Sequence, residues 1–416
     1  MKKSSKRLLP LGLVAGNMTL VAVSAQAAGY DLPDQDAFVI GRGMAFVATA
    51  DNPSAIYYNP AGITQLAGQN LRAGIYGIDL EPTFTSTTGA NAGSEYHNDD
   101  KLHAIPQFYY TYTAADSPWS FGVGLYSPFG LGVKWPQDTG FRTLATESSL
   151  STLALNPVVA FKVSPTFSIG GGVSAVFAMT DLRQGLFNPT QPTDGFRFDG
   201  DGWDVAYNLG MLWKPHEKIA VGVTFRSGST INMRGHTEDN IGAFAERTSA
   251  RTDLPLPYKA IFGISYRPTP AWNLEFNADY TDWSSVKSLV VEQSAPTALG
   301  QNIPLVLNWQ SSWYYEFGVT RYLDHGWHVS GGYIFNENSV PDANYTPLAT
   351  DLDRHFLSVG IGHKGQRLDF DVAYQFGFAG TRTVSGSAAS PVSGQTTDGK
   401  YDYISHAVAV SMQWHF

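Results

Sequence analysis

The residue types that most often do chemistry are sparse in this sequence. The 416-residue chain contains no cysteine, which excludes thiol catalysis, disulfides and zinc sites with sulfur ligands. His97, His103, His355 and His363 are far apart, and no histidine pair has the spacing of a metal site. A Gly-x-Ser-x-Gly nucleophile elbow is also missing. The sequence therefore predicts no catalytic site, no metal site and no cofactor.

A charged cluster lies in the stretch DLDRHF, where Asp351, Asp353 and Arg354 precede a predicted strand. Neighbouring acidic and basic side chains at the base of a loop commonly pair with each other. We interpret this cluster as salt bridges rather than as a functional site.

Residues 51–62 read DNPSAIYYNPAG, with two Asn-Pro pairs seven residues apart and no strand or helix period. Proline fixes φ, lacks a backbone donor and moves the preceding residue away from helical geometry. Asparagine can hydrogen-bond the local backbone or adopt a left-handed conformation. Asn59 and Pro60 therefore predict a stiff kink that can switch between two settings, and the alternative is an ordinary turn.

The first residues form a targeting segment. A basic patch at residues 2–7 is followed by a mostly apolar run to Val23 and by Ala25-Gln26-Ala27. This is the three-part layout of a secretory signal. The run is short and is interrupted by polar residues, which disfavours a membrane anchor of about 20 apolar residues. Residues 1–27 are predicted to be a cleaved signal peptide.

The rest of the chain alternates with a period of two. In AVAVSMQWHF at the C-terminus, Val408, Val410 and Met412 share one face of a strand, opposite Ala409 and other small or polar residues. About fourteen such segments have the roughly 9–11 residues that a tilted membrane strand needs. They start near Leu71, Ile105, Trp119, Leu155, Phe167, Trp203, Lys218, Tyr258, Ala271, Trp313, Trp327, His355, Arg367 and Tyr403.

Short and long connections alternate between these segments, as expected of a barrel that has tight periplasmic turns and long external loops. The short connections are residues 164–166, 214–217, 267–270, 323–326 and 363–366. Tryptophans cluster beside the short turns, as in interfacial aromatic girdles. A large soluble all-β protein also alternates, but without this rhythm of loop lengths. Residues 70–416 are predicted to be a transmembrane antiparallel β-barrel of about 14 strands, in the all-β class.

Residues 28–69 precede the first predicted strand and are too irregular for a strand pair. They contain many apolar residues that need burial, such as Phe38, Phe46 and Ile56. A barrel of fourteen strands has a lumen wider than the wall's side chains alone can fill. We therefore expect this segment to fold inside the barrel as an N-terminal hatch.

Several stretches together resemble the long-chain fatty acid outer-membrane transporter family (FadL-like). Residues 41–66 resemble the family's N-terminal hatch, where an Asn-Pro-Ala kink is tied to ligand passage. The resemblance gives that role to Asn59, Pro60 and Ala61, and we group Gly62 with them. Further blocks follow in the family's order across the mature chain: SPFGLGVKW, SSLSTLALNPVVAFKV, DLPLPYKAIFGISYRP, YTDWSSV and NSVPDANYTPLATDLDRHFLSVGIG.

The resemblance implies capture of a hydrophobic ligand at external loops, binding in an apolar lumen pocket and release through a side opening, gated by the hatch. The loop after Leu125 suits the capture step because it is rich in apolar residues, and exposed apolar clusters mark interaction sites. Self-packing of a long loop is the alternative. The capture candidates are Tyr126, Pro128, Phe129, Leu131 and Trp135.

A fatty acid brings a carboxylate, which needs a basic partner when it is buried. Arg183 lies near where fatty-acid-transporting members present a basic side chain, although a solvated arginine at the base of a loop fits equally well. The stretch SSWYYEFG departs from the family, because it offers Glu316 where such members carry a second basic residue. This departure raises uptake of neutral or aromatic hydrocarbons as an alternative.

The resemblance and the composition together define the expected setting. We expect a monomer in the bacterial outer membrane that contacts lipid and lipopolysaccharide and carries a long-chain fatty acid or another hydrophobic small molecule. The net charge of -9 argues against a nucleic-acid partner, which needs a basic footprint. A general porin for polar solutes is the second alternative, and an enzyme is the third.

Overall fold

The computed structural model describes residues 29–99, 102–186, 194–241, 244–297, 299–391 and 393–416. The predicted signal peptide, residues 1–27, lies outside these described ranges. The strands are β1 Gly68–Ser86, β2 Glu95–His97, β3 Leu102–Thr113, β4 Trp119–Tyr126, β5 Gly130–Lys134, β6 Glu147–Ser164, β7 Phe167–Gly185, β8 Gly195–His216, β9 Ile219–Arg226, β10 Ser229–Ile241, β11 Phe244–Leu256, β12 Lys259–Tyr266, β13 Trp272–Thr281, β14 Ser288–Thr297, β15 Gly300–Val306, β16 Ser312–Tyr322, β17 Trp327–Asn336, β18 Arg354–His363, β19 Leu368–Ala379, β20 Arg382–Val384 and β21 Gly399–His415.

Fourteen of these strands form one closed antiparallel ring. The order around the ring is β1, β3, β4, β6, β7, β8, β9, β12, β13, β16, β17, β18, β19 and β21. β21 then pairs with β1, from Asn70 opposite His415 to Ser86 opposite Gly399. An even number of antiparallel strands closes without an edge, so every strand finds two partners. The predicted barrel of about 14 strands is confirmed.

The remaining strands lie in the long connections, all at one end of the ring. β10 pairs with β11 and β14 with β15 as two hairpins that also contact each other. β2, β5 and β20 pair with the extended ends of β1, β6 and β21. The opposite end carries only short turns. The predicted alternation of short and long connections is therefore present, and the end with long connections is the external end.

The wall has an apolar outer face and a more polar inner face. On β21, Val408 and Met412 expose 52% and 43% of their surface, whereas Ala407, Ala409 and Ser411 are buried. A soluble protein buries its apolar face, so this inverted arrangement fits strands that face lipid. Trp119, Trp213 and Trp327 are outward-facing and lie beside the short turns.

Residues 29–66, here called the N-terminal segment, pack against the inner face of the wall. Two short helices, α1 Ala37–Gly41 and α2 Ala55–Tyr58, and the 3₁₀ helix Pro60–Gln65 are connected by irregular chain, and nearly all of their side chains are buried. Other 3₁₀ helices are Gly89–Asn91, Trp283–Ser285, Asp324–Gly326 and Asp342–Asn344. No helix among the described residues is long and apolar enough to cross a bilayer.

Glycines of the wall allow the N-terminal segment to approach the strands closely. A Cβ added at Gly332 would lie 2.1 Å from the backbone nitrogen of Gly43, and one at Gly222 would lie 2.2 Å from the carbonyl oxygen of Val47. Either side chain would push the segment off the strand. The wall and the segment are therefore fitted to each other along the backbone and not only through side chains.

Candidate functional site

The predicted kink lies where α2 meets the 3₁₀ helix Pro60–Gln65. Asn59 is extended, with φ of -160° and ψ of 99°, and its Oδ1 accepts a hydrogen bond from Ala61 N at 3.2 Å. Its Nδ2 donates to the carbonyl oxygens of Val47 at 2.8 Å and Met211 at 3.0 Å. Pro60 is the first residue of the helix, where a missing N–H costs nothing. One side chain thus joins three backbone segments, including the wall strand β8.

Residues 59–62 are wedged against the wall without free space. A Cβ at Gly210 would lie 2.2 Å from Asn59 Oδ1, and one at Gly170 would lie 2.7 Å from Ala61 N. Gly62 faces inward, since a Cβ there would lie 2.4 Å from both Cβ and O of Ala50. The four predicted gating residues therefore lie together at one contact with β7 and β8.

Buried ion pairs tie the N-terminal segment to strands far away in sequence. Arg72 Nη2 contacts Asp36 Oδ1 at 2.9 Å and Asp371 Oδ2 at 2.7 Å. Arg42 Nη2 contacts Glu275 Oε2 at 3.4 Å. Removing one partner of such a pair leaves an uncompensated buried charge, which is strongly destabilising. These contacts fix the position of the segment within the ring.

Lys259 forms a third pair and is a residue that sequence reasoning missed. Its Nζ lies 2.5 Å from Asp31 Oδ2 and 2.9 Å from Asp279 Oδ2, and the side chain is buried. Lys259 is the first residue of the strand KAIFGISY, and the alternation of that strand places its side chain on the inner face. A lysine on the inner face could have been recognised as a candidate from the sequence. Lys259 Nζ also lies 5.2 Å from the centroid of the Tyr314 ring.

An apolar cavity of about 60 Å³ lies among the extended strand ends and external hairpins. Tyr30 of the N-terminal segment and Trp309 line this cavity. Tyr30 packs edge-on against Trp283, with ring centroids 4.7 Å apart. No charged residue lines the cavity in the described part of the chain. Eight leucines line it: Leu131, Leu150, Leu182, Leu254, Leu289, Leu305, Leu307 and Leu348.

The predicted capture residues are buried, so the expected exposure of this loop is wrong. Pro128 O accepts a hydrogen bond from Leu32 N at 3.0 Å, and Trp135 Nε1 donates to Pro347 O at 3.0 Å. The loop folds inward because β5 pairs with β6 and its backbone bonds to the N-terminal segment. The five side chains are Tyr126, Pro128, Phe129, Leu131 and Trp135, and of these Leu131 lines the apolar cavity.

Arg183 does not reach the cavity. Thr180 and Leu182 of β7 line it, so Arg183, the next residue after Leu182, faces outward. Its guanidinium pairs with Asp181 at 2.9 Å and Glu147 at 3.3 Å. The alternative interpretation of Arg183, a partly solvated arginine at a loop base, therefore describes its position.

Two other acidic sites of the sequence analysis have clear partners. Glu316 is buried on the inner face of β16, and Asn277 Nδ2 donates to its Oε2 at 2.8 Å. Arg354 lies 4.0 Å from Asp351, whereas Asp353 accepts hydrogen bonds from Asn338 instead. The charged cluster in DLDRHF is thus one ion pair and one separate loop contact.

Comparisons with known proteins agree with this architecture. A family model described as "Outer membrane protein transport protein (OMPP1/FadL/TodX)" matches residues 18–416. The long-chain fatty acid transport proteins of Salmonella typhi and Escherichia coli (strain K12) are 23% and 22% identical, and each alignment covers 90% of this chain and 93% of the relative.

Solved structures show the same fold at low sequence identity. A Pseudomonas aeruginosa FadL homologue has a TM-score of 0.81 at 19% identity, covering 94% of this chain and 100% of that one. The P. putida toluene transporter TodX has a TM-score of 0.73 at 15% identity, covering 93% of this chain and 99% of that one.

Proposed function

Because the chain belongs to the outer membrane protein transport protein family (OMPP1/FadL/TodX), we propose that it takes up long-chain fatty acids. It is an outer-membrane transporter of hydrophobic compounds, and the ligand class is the part proposed here. The relatives from Salmonella typhi and Escherichia coli are both long-chain fatty acid transport proteins. No enzymatic role is proposed.

The apolar cavity lined by Tyr30 is the observation that carries the proposal. A hydrophobic ligand gains free energy when it leaves water for a site lined by leucine and tryptophan side chains. The cavity of about 60 Å³ is small, so a ligand must move side chains on entry. Tyr30 is the lining residue that belongs to the N-terminal segment, which couples ligand entry to that segment.

The proposed route has three steps. The external loops take up the ligand, the apolar cavity binds it, and movement of the N-terminal segment allows release through the side of the barrel. Residues 28–69 act as the hatch of the barrel 70–416, after removal of the signal peptide 1–27. A fatty-acid carboxylate would compete with Asp31 for Lys259, which replaces Arg183 as the proposed basic partner. The barrel works as a monomer surrounded by lipid and lipopolysaccharide.

The cavity is tested by introducing a charge into its wall. Leu254→Glu places a carboxylate among lining residues of which none is charged in the described ranges, and burial of an unpaired charge is costly. We expect uptake of radiolabelled oleate by cells to fall at least about tenfold. Leu102→Glu is the matched control, because Leu102 is 77% exposed. Equal loss of uptake in both variants, at equal amounts of folded barrel, would refute the assignment of the cavity.

Uptake of neutral or aromatic hydrocarbons is the second candidate. It is favoured by the uncharged lining of the cavity and by Lys259, whose charge is already balanced by Asp31 and Asp279. Mass spectrometry of small molecules that co-purify in mild detergent separates the two. Free fatty acids would support the first candidate, and hydrocarbons without a carboxylate would replace it with the second.

A further inference from the structure

A second cavity, of about 720 Å³, opens at the end of the barrel that carries the short turns. It is lined by Lys214 at the end of β8, Lys218 in the following turn and Arg267 in the turn after β12. Asp51 and Gln65 of the N-terminal segment form part of its wall. Cations from separate elements therefore meet beside the segment, on the periplasmic side.

Positive charge exceeds negative charge around this cavity. Its lining carries the acidic residues Asp51 and Glu217 against three cations, and Lys364 lies just outside, 3.6 Å from Asp51. Lys214 Nζ donates to Gln65 Oε1 at 2.6 Å. Among the residues that the structure describes, no carboxylate oxygen lies within 4.0 Å of the Nζ atoms of Lys214 or Lys218.

Asp51 is held only loosely by its cations. Its Oδ2 lies 3.5 Å from Arg267 Nη2 and 3.6 Å from Lys364 Nζ, and its buried Oδ1 has no hydrogen-bond partner in the described structure. Burial raises the pKa of this carboxyl, but the charges of Lys364 and Arg267 outweigh it and hold the pKa below its usual value. The single carboxylate of Asp51 makes only long contacts, so it leaves N–H donors of Lys214, Lys218 and Arg267 available to a second anion.

We propose that this cavity binds a small anion, through a carboxylate or phosphate group that Lys214, Lys218 and Arg267 contact. Guanidinium and ammonium groups make their strongest hydrogen bonds with such groups. The anion has two sources: the carboxylate of a transported ligand that reaches the periplasmic end of the barrel before its release, or a free periplasmic solute. The site lies away from the apolar cavity. Binding of a free solute does not depend on the proposed function, whereas binding of a transported ligand's carboxylate rests on it, and the probes below separate the two.

The test is calorimetric titration of the full-length mature protein in neutral-detergent micelles. The probes are octanoate, inorganic phosphate and the uncharged 1-octanol. Wild type is compared with the double variant Lys214→Gln/Lys218→Gln, and with Lys287→Gln as a control on an exposed lysine of an external connection. Because each lost charged hydrogen bond weakens binding by about tenfold or more, we expect a loss of at least about tenfold for anions and no change for 1-octanol.

Each outcome either supports the site or removes it. Loss of phosphate binding in the double variant identifies a free anion as a ligand, and loss of octanoate binding alone identifies a carboxylate on a chain. The proposal is overturned if wild type binds neither anion, or if the double variant binds them as well as wild type. The proposal is also overturned if Lys287→Gln weakens anion binding as much as the double variant does. The mobility of unheated protein on a gel shows that each variant is a folded barrel.

Discussion

At the scale of single residues, Asn59 and Pro60 connect the N-terminal segment to the wall. The Asn59 amide bonds to Val47 and Met211, while the Pro60 ring lies against Gly210. Proline holds φ near one value, which keeps the Asn59 side chain aligned with both carbonyl groups. Any movement of this contact must break hydrogen bonds of Asn59 and shift Pro60 from the glycine.

Replacing Pro60 with alanine is expected to slow ligand uptake while the barrel still assembles. Alanine can adopt other φ values and has a backbone N–H. The substitution therefore destabilises the observed conformation of the kink, in which Asn59 and Pro60 contact the wall, by about 0.4–1 kcal/mol. The initial rate of oleate uptake should fall by about two- to fivefold, which is the factor that this free energy represents. Pro270→Ala, in an exposed short turn, is the control. Identical uptake rates in the two variants would remove the switching role from Pro60.

Arg183 shows which part of the site was readable from the sequence. Val173 exposes 54% of its surface on the outer face of the wall, and Arg183 has the same parity as Val173 along β7. The alternation that predicted the strand therefore already placed Arg183 outside. The same alternation places Lys259 on the inner face. Its pairing with Asp31 was not predictable from the sequence, because Asp31 and Lys259 meet only when the barrel closes around the N-terminal segment.

At the scale of elements, the ring strands were predictable and the external loops were not. All fourteen predicted segments lie in ring strands, since a period of two is local and the membrane imposes it on every strand. The loop that contains Trp135 was expected outside, but it is buried through contacts with the N-terminal segment and with the strand pair of β5 and β6. Such burial depends on partners far away in the chain.

Helix α1 illustrates how one acidic residue fixes an element. Asp36 Oδ1 accepts from Phe38 N at 3.1 Å and from Val39 N at 3.3 Å, which caps the helix. The same carboxylate pairs with Arg72 of β1, which also contacts Asp371 of β19. The cap and the wall contact thus share one side chain, and the position of the helix depends on its charge.

Asp36→Asn is expected to loosen the N-terminal segment from the wall. The amide keeps the shape of the side chain but leaves the buried Arg72 short of one negative charge, at a cost of up to about 3 kcal/mol. Protease cleavage within residues 29–66 should then speed up by at least about tenfold, because cleavage follows the population of the opened segment. The control is Asp116→Asn in an exposed turn. Equal cleavage rates in both variants would mean that the Asp36–Arg72 pair does not hold the segment.

At the scale of the whole molecule, the barrel and the N-terminal segment have different structural roles. The closed ring satisfies every strand in the membrane, whereas the segment contacts strands around the ring, including β1, β8, β13 and β19. Its contacts with the wall include buried ion pairs and aromatic pairs such as Tyr57 against Tyr126, and apolar contacts also lie within the segment, as in Phe38 against Phe46. A fourteen-strand ring without such filling has a wide lumen.

Conductance in a planar bilayer distinguishes this arrangement from a general porin. We expect full-length protein to pass little current, because residues 29–66 pack against the inner face of the ring and would obstruct its lumen. A variant that lacks these residues should conduct at least about tenfold more, since fourteen strands then surround water.

A matched deletion shows whether the N-terminal segment itself blocks the current. Removing the β10–β11 hairpin, residues 229–256, takes away a comparable length of chain outside the ring, so conductance should remain low. A high conductance of the full-length protein would instead favour a polar-solute porin. If neither deletion raised the current, something other than the N-terminal segment would close the barrel, and gating by residues 59–62 would lose its basis.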